Sequence, residues 1–427
     1  MENRLQYYMR VIKGASFEKF SKVLNNAHER SGKSKIFIFF DMINCTLRYG
    51  SGYNDYVIFE FWNLNHKQRD TYMTRMRSKK FIMFMNDHSY AHYFDNKNEF
   101  NERFKKYIGR ECLDLETATD EDIENFFKTR KKIFAKMKDL SCGIGCESLE
   151  TKNFESAEAF VKYVREKGFA TIEDVIENHP DIAKIYPFSA NTMRMITLVD
   201  AKGEAHCVYA VCKMGINGRV VDNYGLHGPV DIETGEFLYP AHSGDTTAGV
   251  HYTEHPYSHF PLIGYKVPYM KEAVEMVKQA ALEIPQMRYV GWDVAITPTG
   301  PAIIEGNNYC AHDFWQLPGQ TPGGIGIMPV SYTHLDVYKR QGLVVLEPHL
   351  DSALYYKVIE ELMNAPVEDD RQLFVLLKEY SKAKAAYDNI KGALEQVNSS
   401  DYGIVAPKLS EMVLEKPEAV SYTHLFL

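Results

Sequence analysis

The 427-residue sequence lacks the features that mark membrane, secreted and nucleic-acid-binding proteins. It has no run of about eighteen apolar residues that could form a membrane-spanning helix, and its start, MENRLQYYMRVIKGASFEKF, contains no apolar stretch of signal-peptide length. It also has no long block of Lys and Arg, and its formal net charge is -8. This balance argues against nucleic acid or an anionic membrane surface as the main partner. We therefore expect a cytoplasmic protein without a membrane span.

Closely paired cysteines are absent as well. The seven cysteines include no Cys-x-x-Cys pair, and the nearest two, Cys142 and Cys146, flank a stretch that contains Gly143 and Gly145. Such spacing favours a loop over a zinc site. We expect the cysteines to be reduced and to pack as small hydrophobic side chains rather than to form disulfides.

What the sequence does contain is enough apolar material for a large core. Hydrophobic residues make up 45% of the chain and aromatic residues 13%, so a globular protein of two or three domains is expected. Residues 1–110 mix helix-like and strand-like stretches, residues 192–216 read as two strands joined by a turn, and residues 267–284 read as a helix. Strands separated by helices, with antiparallel hairpins among them, predict an α/β protein of the α+β or mixed type.

The sequence YVGWDVAITPTGPAIIEGNN, residues 289–308, predicts the hairpin that carries the chemistry. The tripeptide Pro-Thr-Gly that ends at Gly300 suits a three-residue loop with this glycine in the left-handed conformation. Counting outward from that loop places Asp293 directly opposite Glu305, and strand alternation places Asn307 on the same face as Glu305. Two opposed carboxylates destabilise a sheet, so something positive should lie between them.

Two carboxylates and an amide oxygen are hard ligands that suit Mg²⁺, which completes its shell with water and substrate phosphates. We therefore predict a magnesium site formed by Asp293, Glu305 and Asn307. On the pattern alone, the alternative is that both carboxylates pair with basic neighbours at the protein surface.

The hairpin and its flanking segments resemble the ATP-grasp superfamily and, within it, the sugar-transfer-associated branch. The matching stretches are DNKNEFNERFKKYIGREC, ENHPDIAKIYPFSANTMRMITL, VVDNYGLHGPVDIETG and HPYSHFPLIGYKVP. Together they extend over roughly residues 50–329. The resemblance implies an ATP-grasp fold, in which two α+β lobes close on a nucleotide, and it implies ATP and Mg²⁺ as cofactors.

Carried over position by position, the resemblance implies a nucleotide site between the lobes. It assigns phosphate contacts to two lysines and a glycine-rich loop, adenine and ribose contacts to the hinge, and contact with the transferred phosphate to an arginine. The residues are Lys97 and Lys136, the loop residues Ser141, Gly143 and Gly145, the hinge segment from Glu173 to Glu177, and Arg194. Which hinge glutamate faces the nucleotide stays open, and the loop departs from the usual family pattern at Met137 and Cys142.

The activity that the resemblance implies is ATP- and Mg²⁺-dependent ligation. A carboxylate attacks the γ-phosphate of ATP to form an acyl phosphate, and an amine or similar nucleophile then displaces phosphate. Lys136 and Arg194 would be catalytic, because they would stabilise the charge that develops near the γ-phosphate. The sugar-transfer branch implies small or sugar-linked substrates in cell-surface polysaccharide modification. The alternatives are a kinase that stops after phosphoryl transfer and a nucleotide-binding scaffold without turnover.

The end of the chain reads differently. The letters VSYTHL at 330–335 recur at 420–425 with no similarity around them, so they do not indicate a structural repeat. The segments 330–341 and 420–427 look like translated sequencing-adapter sequence. Residues 342–419 resemble part of the stage IV sporulation protein A family, and an apolar stripe at helical spacing predicts a helical appendage there. We therefore expect function to reside in residues 1–329.

These observations predict six segments. They are a mixed α/β region at 1–110, an ATP-grasp small lobe at 111–190, a large lobe at 191–329, an adapter-like segment at 330–341, a helical sporulation-protein-like segment at 342–419, and an adapter-like tail at 420–427.

Overall fold

The computed structural model describes residues 17–137, 145–200, 202–216 and 225–328, all within one compact unit, Met1–Glu347. The segments predicted from residue 330 onward lie outside the described residues, as do Ser141 and Gly143. None of the helices in the described ranges is long and apolar enough to span a bilayer.

Helices dominate the first hundred described residues, and strands dominate the rest of the described chain. The α-helices are α1 (Phe17–Ser31), α2 (Lys35–Tyr49), α3 (Tyr53–Ile58), α4 (His66–Asp70), α5 (Arg75–Met85), α6 (His92–Asp95), α7 (Lys97–Arg103), α8 (Asp120–Lys128), α9 (Ala157–Lys167), α10 (Pro180–Ala183) and α11 (Met270–Ala281). Short 3₁₀ helices lie at Phe61–Asn63, His88–Tyr90, Thr151–Asn153, Thr246–Ala248 and Pro322–Gly324. The strands are β1 (Cys112–Asp114), β2 (Lys132–Lys136), β3 (Cys146–Glu150), β4 (Thr171–Asp174), β5 (Thr192–Val199), β6 (Ala205–Met214), β7 (Leu226–Val230), β8 (Ala241–Ser243), β9 (His251–Tyr252), β10 (Tyr289–Thr297) and β11 (Gly300–Asn307).

The described part of the N-terminal region, residues 17–110, is helical and has no β-strand, which differs from the mixed pattern predicted there. The run KSKIFIFFDMI is helical from Lys35, the first residue of α2, and its first two residues precede the helix. Ser34 caps the start of this helix by accepting a hydrogen bond from the amide of Phe37, and Gly50, with φ of 63°, caps its end. A short apolar run is compatible with a strand or a buried helix, and here the two caps decide for the helix.

A buried ion pair lies in the core of this helical region. Arg69 donates to both carboxylate oxygens of Asp41, at 2.7 and 2.8 Å, and the hydroxyl of Tyr56 donates to Oδ2 of Asp41 at 2.8 Å. The Nε of Arg69 donates to the carbonyl of Phe61 at 2.9 Å. Because aromatic side chains surround the pair, its hydrogen bonds must replace those that water would make.

The smaller sheet forms a lobe of its own. Its four antiparallel strands lie in the order β1-β4-β2-β3. Helices α8 and α9 contact each other, and their apolar residues, among them Ile123, Phe160 and Val164, pack with Ile133 and Ile172 of the strands.

The larger sheet has seven antiparallel strands in the order β11-β10-β5-β6-β7-β8-β9. One face packs against α11 and α7, with Trp292 at the centre. The other face packs against α5 and the segment that contains Trp315 and Ile327. Strand alternation places Arg194 and Asp293 on this second face, because Ile196 and Tyr289, two or four residues away on their strands, belong to its core. The predicted α+β architecture is confirmed.

Replacing Arg69 by Met should destabilise the protein by about 3–5 kcal/mol, because it leaves the Asp41 carboxylate buried without its cation. The free energy of unfolding in urea measures this. Lys128→Met is the matched control, because Lys128 pairs with Glu124 at an exposed position and its loss should leave stability nearly unchanged. Equal effects of the two substitutions would contradict the importance of the buried pair.

Candidate functional site

The hairpin of β10 and β11 places Asp293 opposite Glu305, as predicted, but through a different register. Thr297 pairs with Gly300, so the loop is one residue shorter than predicted. A β-bulge at Ile304 then adds one residue to β11 and moves the register back. The two deviations cancel, and the two carboxyl groups face each other across the strands.

The positive charge beside Asp293 comes from the same sheet. Nε and Nη2 of Arg194 donate to Oδ1 and Oδ2 of Asp293 at 2.5 and 2.9 Å, and Nζ of Lys213 donates to Oδ2 at 3.1 Å. All three side chains are buried. Burial alone would raise the pKa of Asp293, but the two cations outweigh it and hold that pKa below its ordinary value. Asp293 is therefore ionised and neutralised by protein side chains.

Glu305 has a different environment. Although the residue as a whole is exposed, burial of its carboxyl group raises its pKa, and the charge of Asp293 adds to that rise. The amide of Asn307 lies beside it, with Nδ2 at 3.5 Å from Oε1 of Glu305 and at 3.4 Å from the carbonyl of Gly291. The hairpin thus brings the three predicted metal ligands together.

The donor chemistry of this group fits Mg²⁺. Asp293, Glu305 and Asn307 offer carboxylate and amide oxygens, which are hard ligands. The nearby thiol of Cys310 donates to the carbonyl of Asn307 at 3.3 Å, and burial raises its pKa to about 12. The three predicted ligands are themselves oxygen donors and not the sulfur or nitrogen donors that zinc prefers.

The smaller sheet contributes a second charged cluster. Nζ of Lys136, at the end of β2, lies 2.5 Å from Oε1 of Glu173 on β4. Nη2 of Arg110 lies 3.1 Å from Oε2 of the same carboxylate. Burial would raise the pKa of Glu173, but Lys136 and Arg110 lower it below its ordinary value. Glu173 is thus held between two cations, as Asp293 is in the larger sheet.

Residues of both clusters and Lys97 act electrostatically on one side chain, the thiol of Cys146. Lys97 is the first residue of α7, which Asn96 caps, and its side chain is half-buried. Burial is the main cause that raises the pKa of Cys146, and the charges of Lys136, Lys97, Glu173 and Glu305 also act on this thiol. Four of the predicted site residues, from both sheets and from α7, are therefore within electrostatic reach of one side chain.

The remaining predicted residues belong to the glycine-rich loop and to the segment after β4. Gly145 has φ of 70°, which favours glycine, and its carbonyl accepts a hydrogen bond from the amide of Met137 at 3.0 Å, closing the base of the loop. Ser141 and Gly143 lie between them, outside the described residues. Glu177 follows β4 and is exposed.

Sequence reasoning missed two residues of this site. Lys213 had a signal, because it is a single lysine in the otherwise apolar end of the strand AHCVYAVCKM, where a buried charge needs a partner. Arg110 follows α7 in irregular backbone, and no pattern in the sequence marks it. A third neighbour, His227, pairs with Lys213 across the sheet and stacks on Phe314. Burial, aided by the charge of Lys213, lowers the pKa of His227 to about 3, so its imidazole is neutral.

Comparison with known proteins identifies the two parts of the chain. Residues 127–328 match the sequence model of the family described as sugar-transfer associated ATP-grasp. This segment is similar to that family. Residues 328–426 match the middle domain of stage IV sporulation protein A. Both resemblances predicted from the sequence are confirmed.

Curated proteins that are similar to part of the chain include stage IV sporulation proteins A. Stage IV sporulation protein A from Clostridioides difficile is 38% identical over 78 residues, which are 18% of this chain and 16% of that protein. The protein of the same name from Bacillus subtilis is 30% identical over 80 residues, 19% of this chain and 16% of that protein. The chain thus spans about a sixth of the length of these relatives.

Solved structures that are similar to the chain include ATP-grasp ligases. The ATP-grasp ligase PsnB in complex with a minimal precursor has a TM-score of 0.33 and 12% identity, covering 56% of this chain and 60% of that chain. D-alanyl-alanine synthetase A from Vibrio cholerae has a TM-score of 0.31 and 14% identity, covering 57% and 60%.

The ATP-grasp segment contains most of the candidate site. Lys136, Arg194, Asp293, Glu305 and Asn307 lie within it, whereas Lys97 and Arg110 precede the matched residues. The similarity of this segment to the family points to an ATP-dependent enzyme of the carboxylate–amine ligase kind.

Replacing Lys213 by Met should tighten binding of a divalent cation to the protein by about tenfold, because it removes a positive charge 3.1 Å from a carboxylate oxygen of the predicted metal site. Titration with Mn²⁺, followed by electron paramagnetic resonance without nucleotide, measures this. Lys266→Met, at an exposed position, should leave the affinity unchanged. An unchanged or weaker affinity in Lys213→Met would refute competition between Lys213 and the metal.

Proposed function

We propose that the protein is an ATP- and Mg²⁺-dependent carboxylate ligase that acts through an acyl phosphate. The observation that carries the proposal is that Asp293, Glu305 and Asn307 lie together on one hairpin, with Arg194 bound to Asp293 and with Lys136 and Lys97 close by. Carboxylates for a metal on one side and cations for phosphates on the other match the charge of a metal–nucleotide complex.

Each predicted residue has a part in this proposal. Mg²⁺ held by Asp293, Glu305 and Asn307 would supply positive charge to the phosphate oxygens. Lys136 and Lys97 would bind phosphates as point charges. Arg194 uses Nε and Nη2 for Asp293, so Nη1 is the donor that would face the transferred phosphate.

The hinge glutamates divide their tasks in the proposal. Glu173 is buried, and both of its oxygens accept from cations of the protein. Glu177 is exposed beyond the end of β4, so it is the glutamate that we assign to the ribose hydroxyls. The glycine-rich loop with Ser141, Gly143 and Gly145 would contribute amide donors to the phosphates.

The substrate in this proposal is a small or sugar-linked carboxylate, with an amine or similar nucleophile as acceptor. The family description, sugar-transfer associated ATP-grasp, supports a place in cell-surface polysaccharide modification. The proposed location is the cytoplasm, where ATP is available.

A nucleotide-binding scaffold without turnover is the second candidate. It is favoured by the full engagement of Asp293, since both of its oxygens already accept from Arg194 and Lys213, which would compete with a metal ion. Binding experiments and turnover experiments separate the two candidates.

Saturating ADP should stabilise the full chain against heat only when Mg²⁺ is present, and at about 100 times the dissociation constant the gain should be about 2.7 kcal/mol. Thermal unfolding with and without Mg²⁺ measures it. Glu305→Gln should lose most of the Mg²⁺-dependent gain, because the amide is a weaker metal ligand than the carboxylate. The control Glu275→Gln, on the exposed side of α11, should keep it. A folded wild-type protein with no shift would refute nucleotide binding.

Hydroxylamine should trap the acyl phosphate. When the chain is incubated with ATP, Mg²⁺ and candidate sugar carboxylates, the correct substrate should yield a hydroxamate together with ADP and phosphate, because hydroxylamine displaces phosphate from the activated carbonyl. Mass spectrometry of the products measures this. A stable phosphorylated alcohol would indicate a kinase instead, and ADP binding without product from any carboxylate would favour the scaffold.

A further inference from the structure

A buried network of polar contacts through Arg110 connects the Glu173 cluster to the backbone of β11, the strand that carries Glu305. In the smaller sheet, the guanidinium binds Glu173 at 3.1 Å, and Glu173 in turn binds Lys136 at 2.5 Å. On the opposite side, Nη1 of Arg110 donates to the carbonyl of Ile303 at 2.7 Å and Nη2 donates to the carbonyl of Ile304 at 3.2 Å. The side chain of Arg110 is 3% exposed, so water does not screen these contacts.

The location of the two carbonyls explains why an arginine is needed. Strand β11 is at the edge of the seven-stranded sheet, so the backbone groups on its outer side have no neighbouring strand to pair with. Ile304 is the bulge residue, where the regular ladder is interrupted. The planar guanidinium can donate to both carbonyls and to a carboxylate at once, whereas a lysine ammonium is a single point charge.

The network ends next to a predicted metal ligand. The carbonyl of Ile304 belongs to the peptide unit whose other half is the amide of Glu305, and this unit is planar. Fixing that carbonyl therefore fixes the start of the Glu305 backbone. At the opposite end of the network, Lys136 and Arg110 both bind the carboxylate of Glu173. A phosphate that binds Lys136 would take this cation away from Glu173, and the carboxylate would then interact more strongly with Arg110.

We propose that Arg110 is a positioning residue that couples the phosphate side of the site to the metal side, so that nucleotide and Mg²⁺ bind cooperatively. This inference rests on the proposed function, because it requires that Lys136 meets phosphate and that Glu305 binds Mg²⁺. Coupling between two ligands is reciprocal, so the same network would make the metal favour nucleotide binding.

The experiment measures the dissociation constant of ADP by calorimetry, once in EDTA and once in Mg²⁺, for the full chain and its variants. The ratio of the value in EDTA to the value in Mg²⁺ reports how strongly the metal favours nucleotide binding. The association of Mg²⁺ with ADP in free solution is the same for every variant, so it cancels when the ratios are compared. Arg110→Lys keeps a charge for Glu173 but cannot reach both carbonyls. We expect it to lower the ratio at least about fivefold, with a smaller effect on ADP binding in EDTA.

Arg130→Lys is the matched control. Arg130 is a half-buried arginine of the smaller lobe, and its partners Asp174, Glu111 and the carbonyl of Phe126 all belong to that lobe. It should keep the wild-type ratio. Glu173→Gln is the second variant. It removes the carboxylate charge that binds Arg110, so it should lower the ratio as Arg110→Lys does.

The outcomes separate the inference from the function on which it rests. A wild-type ratio in both Arg110→Lys and Glu173→Gln, or an equal loss of affinity with and without Mg²⁺, would overturn the inference and leave the proposed function intact. A wild-type chain that binds ADP under neither condition would refute both. If Arg110→Lys does not fold, the ratio of Glu173→Gln is compared with that of the control Arg130→Lys, and equal ratios would overturn the inference.

Discussion

The pairing of one buried carboxylate, Asp293, with two cations is the constraint on which the site depends. An ionised carboxylate inside a sheet is costly unless cations and hydrogen bonds replace the water that it loses. Arg194 and Lys213 supply that replacement from the two next strands. Because both cations reach across the same face, the order of β10, β5 and β6 and their mutual register are fixed by this contact as well as by the apolar core.

The smaller sheet repeats this solution around Glu173. Its carboxylate is buried between Lys136 and Arg110, one cation from a neighbouring strand and one from the segment that leads into the sheet. Each lobe thus carries one buried carboxylate held between two cations. Arg110 belongs to both arrangements, since it also holds the backbone of the hairpin on which Glu305 lies.

The sequence predicted the residues of the site better than it predicted their surroundings. Asp293 was placed opposite Glu305 by a count that assumed a loop one residue too long and did not foresee the bulge at Ile304, and these two errors cancel. The sequence predicted a metal ion beside the carboxylates, a prediction that stays open, and it did not reveal that Arg194 and Lys213 also lie beside Asp293. The pairing of β10 with β5 joins strands that are far apart in sequence, so local pattern could not reveal that Arg194 and Lys213 would meet Asp293. For α2, by contrast, the deciding signals are local. Its apolar run fits a strand or a buried helix, and the caps at Ser34 and Gly50 decide for the helix.

The charges of the site also constrain the order in which ligands can bind. With both carboxylates ionised, Asp293 and Glu305 balance Arg194 and Lys213, so the large-lobe part of the site is close to neutral. A divalent cation added alone would leave an excess of positive charge in a place where burial weakens screening. A nucleotide added alone would meet the carboxylates of Asp293 and Glu305 as well as the cations. In the proposed complex, the metal ion would lie beside the carboxylates of Asp293 and Glu305, and the nucleotide phosphates would lie beside the cations. The proposed site would therefore favour the metal–nucleotide complex over either component. In the proposed reaction, Nη1 of Arg194 would be the donor that meets the transferred phosphate, while Nε and Nη2 of Arg194 and Nζ of Lys213 stay bound to Asp293.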